Sequence, residues 1–193
     1  MAIELVLGLG NPGKEYADSR HNVGFRVVEC VARRHGAWGW IERCSSELAV
    51  VAAGRMVVLA RPLTFMNRSG EAAQRLLVEF GVEPESMLVV VDDVDLPLST
   101  LRLRKSGGPG THNGLRDLCE RLGNDFPRLR VGVRGEDILG DLADYVLSPF
   151  GDRERTTADA EVERAADAVE MALRDDFERA MNVYNRPPTT DQL

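Results

Sequence analysis

Met87-Leu-Val-Val-Val91 is an unbroken apolar run that stops at Asp92-Asp93. A strand with one wet face alternates; a continuous aliphatic run marks a strand covered on both faces, as in a parallel sheet between helices. Upstream, Ile3–Leu9 is a second such run and ends in a Gly/Asn/Pro loop. From Val23, the spacing of Val27, Val28, Val31 and Ala32 predicts a helix with Gly36 as its stop, and Ser69–Phe80 predicts another. That second helix turns Leu76, Leu77 and Phe80 inward and ends at Gly81. Leu48–Ala53 and Met56–Ala60 flank Gly54-Arg55, which predicts an antiparallel hairpin.

Downstream, Leu101–Arg104 alternates, the glycine-rich loop Gly107–Gly110 leads to a helix near Asn113–Leu122, and Leu129–Val133 is a further strand. Beyond Pro149, Val162, Ala166, Val169, Leu173, Phe177, Met181 and Tyr184 recur every three or four residues, a long amphipathic helix in one piece or two. Asn185–Leu193, with Pro187-Pro188, reads as a frayed tail. The expectation is α/β: a single-domain three-layer sandwich, a twisted mixed β-sheet flanked by helices, over residues 1–186, with 187–193 as a flexible tail.

At 193 residues and 44% hydrophobic, the chain is long enough for one well-buried core. It has no apolar run of the roughly 18 residues that a membrane span needs. Met1–Gly10 carries Glu4 and lacks a basic n-region, so it does not read as a signal peptide. Three dispersed cysteines, Cys30, Cys44 and Cys119, form no CxxC pair, which fits reduced thiols in a cytoplasmic protein. The net charge is −7, yet residues 101–134 carry 8 basic and 3 acidic side chains, a local field that suits a polyanion. The ordinary reading of Arg102, Arg104 and Lys105 is the wet face of a strand.

Gly8-Leu-Gly10-Asn-Pro-Gly13 has the G-x-G-x-x-G spacing of a dinucleotide site. That site requires the last glycine to open a helix onto the pyrophosphate. Here a polar stretch runs from Lys14 to His21 before any helical pattern begins, so a nucleotide cofactor is not expected. His35 follows Arg33-Arg34 at a helix end and reads as structural. His21 and His112 fall in loops, and Asp92 is read as the first residue beyond its strand; such loops converge at the carboxyl ends of parallel strands. A histidine backed by a carboxylate is the minimal general base, and with no G-x-S-x-G present it would act on water directly. Asn11, Asn67 and Asn113 could hold a carbonyl or amide, although turn or cap roles are the ordinary reading of each, and Asn113 suits a cap. His21, His112 and Asp92 also make a two-His-one-carboxylate set, but their spacing follows no metal-ligand pattern, so no metal is expected.

Four blocks in order carry a wider likeness: Gly8-Leu-Gly-Asn-Pro-Gly-Lys-Glu-Tyr-Ala-Asp-Ser-Arg-His-Asn-Val-Gly24, Arg61-Pro-Leu-Thr-Phe-Met-Asn-Arg-Ser-Gly70, Asp92-Asp-Val-Asp-Leu-Pro97 and Gly107-Gly-Pro-Gly-Thr-His-Asn-Gly-Leu115. On these the sequence resembles the bacterial peptidyl-tRNA hydrolase family from Ile3 to about Phe150. The resemblance implies a cofactor-free esterase that cleaves the bond between a peptide and the tRNA 3′ ribose, recycling tRNA from peptidyl-tRNA released early. It implies His21 as the base, Asp92 as its orienting carboxylate, and Asn11 as the reader of the peptide's first amide. Tyr16, Phe65, Met66, Asn67, His112 and Asn113 fall at its substrate positions. Arg104 and Arg130, with neighbours Lys105 and Arg128, fall where tRNA phosphate is met. A cytoplasmic monomer with peptidyl-tRNA as partner, no membrane and no obligate protein partner follows as the expectation. The alternative is a non-catalytic RNA-binding relative of the same fold, which would have no need of the His21–Asp92 dyad. Two positions depart from the family pattern. Thr111 stands where glycine is usual, which predicts strain if that backbone is left-handed, and Ser19 stands where threonine is usual.

Overall fold

The computed structural model describes residues 2–135, 141–174 and 176–186. Its strands are β1 (Leu5–Gly8), β2 (Ile41–Arg43), β3 (Ser46–Ala52), β4 (Met56–Pro62), β5 (Met87–Pro97), β6 (Leu101–Arg104) and β7 (Arg128–Arg134). Its helices are α1 (Val23–Arg34), α2 (Ser69–Phe80), α3 (Asn113–Leu122), α4 (Leu142–Leu147), α5 (Asp152–Leu173) and α6 (Phe177–Tyr184). The strands form one sheet in the order β2-β3-β4-β1-β5-β7-β6. β4, β1, β5 and β7 are mutually parallel, while β2, β3 and β6 add antiparallel edges.

The two central apolar runs supply both cores, because alternate side chains point to opposite faces. Val6, Leu88 and Val90 join the core beneath α1, α5 and α6, together with Val27, Val28, Val169 and Phe177. Leu5, Leu7, Met87, Val89 and Val91 join the other core, beneath α2 and α3, with Leu76, Leu115 and Leu118. The expected α/β sandwich is therefore present, with the acidic α5 covering the sheet. A row of ion pairs fastens α5 to α1: Arg26–Asp159, Arg33–Glu163 and Arg34–Asp167.

Several local expectations need correction. Phe80 is half-exposed at the end of α2 instead of packed inward. β5 runs on to Pro97, so Asp92 lies inside the strand, paired across to Val131, not beyond its end. Asn185 is no part of a frayed tail: its side chain accepts from Leu103 N–H (2.6 Å) and donates to Leu103 C=O (3.1 Å). The tail expected at 187–193 lies outside the described residues. Two elements were not foreseen, the three-residue edge strand β2 and the six-residue helix α4.

The glycine pattern has a packing cause. A Cβ on Gly8 would sit 2.3 Å from Gly24 O, and one on Gly24 would sit 2.5 Å from Leu9 O. The bare backbones let α1 press directly on the end of β1, which brings the turn before α1 over the carboxyl ends of β1 and β5. Gly13 opens only a short 3₁₀ turn, Lys14–Tyr16, not the helix that a pyrophosphate site demands.

Candidate active site

The loops after β1 and β4, the Asp92 segment of β5 and the N-terminus of α3 meet at one end of the parallel strands. They enclose a cavity of about 660 Å³ lined by Asn11, His21, Phe65, Met66, Asn67, Asp92, Thr111, His112, Asn113 and Arg130, among others. One wall is α4, through Leu142, Ala143, Val146 and Leu147.

His21 sits in a 3₁₀ turn, Arg20–Asn22, whose three residues are all buried. Its Nδ1 lies 2.8 Å from Asp92 Oδ1. The same oxygen lies 3.0 Å from His112 Nε2. An ionised carboxylate only accepts, so both ring nitrogens donate to it. His112 is also the N-cap of α3: its Nδ1 accepts from Leu115 N–H at 3.1 Å. That cap fixes the proton on His112 Nε2, and donation from His21 Nδ1 leaves His21 Nε2 with a free lone pair. Burial alone would raise the Asp92 carboxyl. The electrostatic attraction of His112 and His21, and then their N–H donation, outweigh it and hold the group well below the ordinary carboxylate range.

The three ligand-type atoms lie within 4.8 Å of one another. The α3 cap nevertheless argues against a metal centre, because a neutral His112 could offer Nε2 to an ion only by protonating Nδ1 and losing Leu115. Hydrogen bonds account for all three of these contacts.

The amides are oriented as firmly as the rings. Asn22 clamps the Asn11 backbone from both sides, accepting from its N–H (2.8 Å) and donating to its C=O (2.9 Å). The Asn11 side-chain oxygen is occupied by Met66 N–H at 2.8 Å. The Asn113 side-chain oxygen accepts from Arg116 at 3.0 Å. Each asparagine thus has its oxygen already engaged by one donor, and both residues line the cavity. Asn113 does not cap α3; that task falls to His112. Thr111 is not among the non-glycine residues with positive φ, so the expected strain is absent, and Gly110 takes the left-handed turn instead (φ 63°).

Not every expected residue arrives. Tyr16 lies in the Lys14–Tyr16 turn and is not among the residues lining the cavity. Arg128 is fully buried and donates to the carbonyls of Gly107, Gly108, Asn124 and Phe126. It ties the glycine loop to β7 and cannot meet a phosphate. Arg130 is largely buried too, held by Asp93 (3.0 Å) and Gly108 C=O (2.9 Å), although it reaches the cavity. Arg104 is exposed, and Lys105 is exposed beside Glu178. Asn22, Arg116 and the α4 wall were missed. A clamp between two asparagines eleven residues apart leaves no periodic signal, and six residues are too few for a reliable helical pattern.

The sequence and fold have close counterparts. A model of the peptidyl-tRNA hydrolase family matches residues 5–192. Peptidyl-tRNA hydrolase of Chloroflexus aggregans is 45% identical over 184 residues, covering 94% of this chain and 98% of that protein. That of Roseiflexus castenholzii is 46% identical over 187 residues, covering 95% and 87%. The crystal structure of peptidyl-tRNA hydrolase from Acinetobacter baumannii superposes with a TM-score of 0.89 at 33% identity, over 96% of this chain and 95% of that one. With a family model spanning nearly all of it and such relatives along its length, the chain belongs to the peptidyl-tRNA hydrolase family.

Proposed function

We propose that this protein hydrolyses the ester between the carboxyl end of an N-acylated peptide and the 3′ ribose of tRNA, with His21 as the general base. The observation that carries the reading is the Asp92 carboxylate accepting from two imidazoles, which leaves one free ring nitrogen, His21 Nε2, at the cavity. A water held there loses its proton to His21 Nε2 as its oxygen attacks the ester carbonyl. The His21 imidazolium forms against a buried carboxylate and is stabilised where no solvent screens it. His112 donates to the same carboxylate and lowers its basicity, so the proton stays on His21. The imidazolium then returns it to the departing ribose oxygen, giving free peptide and tRNA.

Asn11 and Asn113 present N–H donors to carbonyl oxygens, of the ester as charge develops and of the acyl group on the peptide's amide. This narrows the role of Asn11, which reads a carbonyl oxygen because its own oxygen is engaged by Met66. A free aminoacyl ester brings an ammonium where the site offers donors and expects an acceptor, so it leaves polar groups unpaired. Phe65, Met66 and Asn67 line the same cavity as α4. Arg104, the last residue of β6, and Lys105 just after it supply the tRNA phosphate contacts, with Arg130 at the cavity. No helix among the described residues is long and apolar enough to cross a membrane.

The test is release of N-acetyl-amino acid from N-acetyl-aminoacyl-tRNA in a strong chelator, beside the same tRNA carrying an unblocked amino acid. Release from the acylated substrate alone is expected. Tight tRNA binding without release would identify a non-catalytic RNA binder, and loss of release restored by added metal would return the His21–Asp92–His112 set to a metal role.

A further inference from the structure

Arg20 precedes the base in sequence, lies only 5% exposed, and is absent from the cavity lining. The hydrogen-bond and ring partners of its guanidinium, among the described residues, belong to α4 or to the chain that follows it. One end of its guanidinium donates to Ser148 Oγ (3.0 Å) and to the carbonyl of Pro149, and the other to Glu154 Oε2 (2.5 Å). Its plane lies 4.3 Å from the Tyr145 ring centroid and 4.9 Å from that of Phe150. The backbone repeats the link, with Arg20 N–H donating to Ser148 C=O at 3.0 Å and Ser19 bridging Pro149. Tyr145 stands in the middle of α4, and its hydroxyl bridges β7, donating to Val133 C=O and accepting from Gly135 N–H.

An aliphatic side chain would fasten these elements with less desolvation than a buried guanidinium, whose Nε finds no hydrogen-bond partner among the described residues. What the planar fork adds is direction: several acceptors at fixed angles and two rings fix one orientation of the Arg20–Asn22 turn relative to α4. α4 lines the cavity through Leu142, Val146 and Leu147, apolar side chains that suit a peptide and not a ribose or phosphate. We propose that Arg20 is a positioning residue that couples occupancy of the α4 wall by the peptide chain to the placement of His21. Contacts made far from the ester are then spent on aligning the base, so they raise kcat without tightening binding. A longer peptide covers more of the wall and draws more on the coupling. The proposal rests on the esterase reading above.

Full-length protein and its Arg20→Gln variant are compared on tRNA carrying an N-acetyl-amino acid and on tRNA carrying an N-acetyl-tripeptide. Misplacement of a catalytic group by about 1 Å costs on the order of 100-fold, so kcat of the variant on the tripeptidyl substrate is expected to fall ~10–100-fold. The fall on the N-acetyl-aminoacyl substrate is expected to be several-fold smaller, with KM for both within about twofold of wild type. Glu154→Gln keeps an oxygen for the Gly151 N–H cap, lies outside the cavity, and is expected to give the same pattern at smaller size. It decides the matter by the same criteria if Arg20→Gln does not fold. Equal losses on both substrates, a change confined to KM, or no loss would overturn the coupling. A wild-type protein inactive on both substrates would instead strike the esterase reading itself.

Discussion

Replacing Asp92 with asparagine removes one charge and keeps the shape of the side chain. The amide oxygen can still accept from His21 Nδ1 and His112 Nε2, now 2.8 and 3.0 Å from Asp92 Oδ1. What disappears is the attraction between the carboxylate and the imidazolium that forms as water is deprotonated. Two unit charges about 4 Å apart at an effective dielectric of about 20 interact by about 4 kcal/mol. Asp92 is only 3% exposed, so solvent screening does little to reduce this. At about 1.4 kcal/mol per decade, kcat should fall on the order of 10³-fold, with KM little changed. The assay is release of N-acetyl-amino acid under saturating substrate, beside a binding measurement with uncharged tRNA. A fall of less than about tenfold, or a loss carried by KM, would refute the argument that the charge stabilises the transition state. Stability supplies a second arm. The folded-state pKa of Asp92 is depressed, so its contribution is present above the unfolded value of about 4 and lost as pH falls below it. The wild type should lose stability with acid more steeply than the asparagine variant, by chemical denaturation at neutral and acid pH.

His112→Ala removes one donor to Asp92 and the cap of α3 together. It should lower kcat ~10–100-fold, the worth of a hydrogen bond to a charged group, and speed amide exchange at Leu115. Arg104→Ala should weaken tRNA binding and reduce its salt slope by about one unit, whereas Arg128→Ala should leave the slope unchanged. The latter orphans several carbonyls in the glycine loop and should instead cost roughly 3 kcal/mol or more in thermal or denaturant unfolding, about 1–3 for each buried group left unpaired.

The layers of the fold were legible because two physical signals are local. Unbroken runs at Ile3–Leu9 and Met87–Val91 mark strands covered on both faces, and the spacing of apolar residues marks α1 and α2 to within a residue or two, whereas the recurrence that starts at Val162 misses the first ten residues of α5. Leu101–Arg104 alternates in sequence and in burial alike. The candidate site was legible in part, since the loops that carry His21, Asn11 and His112 gather at the end of the apolar run that Asp92 follows, although Asp92 itself lies inside β5. What the sequence could not reveal is which atom of each group is engaged. The tautomer of His112 depends on Leu115 N–H, and the donor character of Asn11 on Met66 N–H; both are contacts of three-dimensional geometry. Arg128 misled for a related reason. As a neighbour of Arg130 it was read with the phosphate contacts, but its partners are the backbone carbonyls of Gly107, Gly108, Asn124 and Phe126.

The measurement closest to the central claim is the single-turnover rate of His21→Ala on N-acetyl-aminoacyl-tRNA, with tRNA affinity measured on the same protein. The account predicts a rate lower by ~10²–10⁴-fold, the usual worth of a general base, with affinity nearly unchanged. A variant that binds normally and cleaves at close to the wild-type rate would contradict it and move the base elsewhere in the cavity.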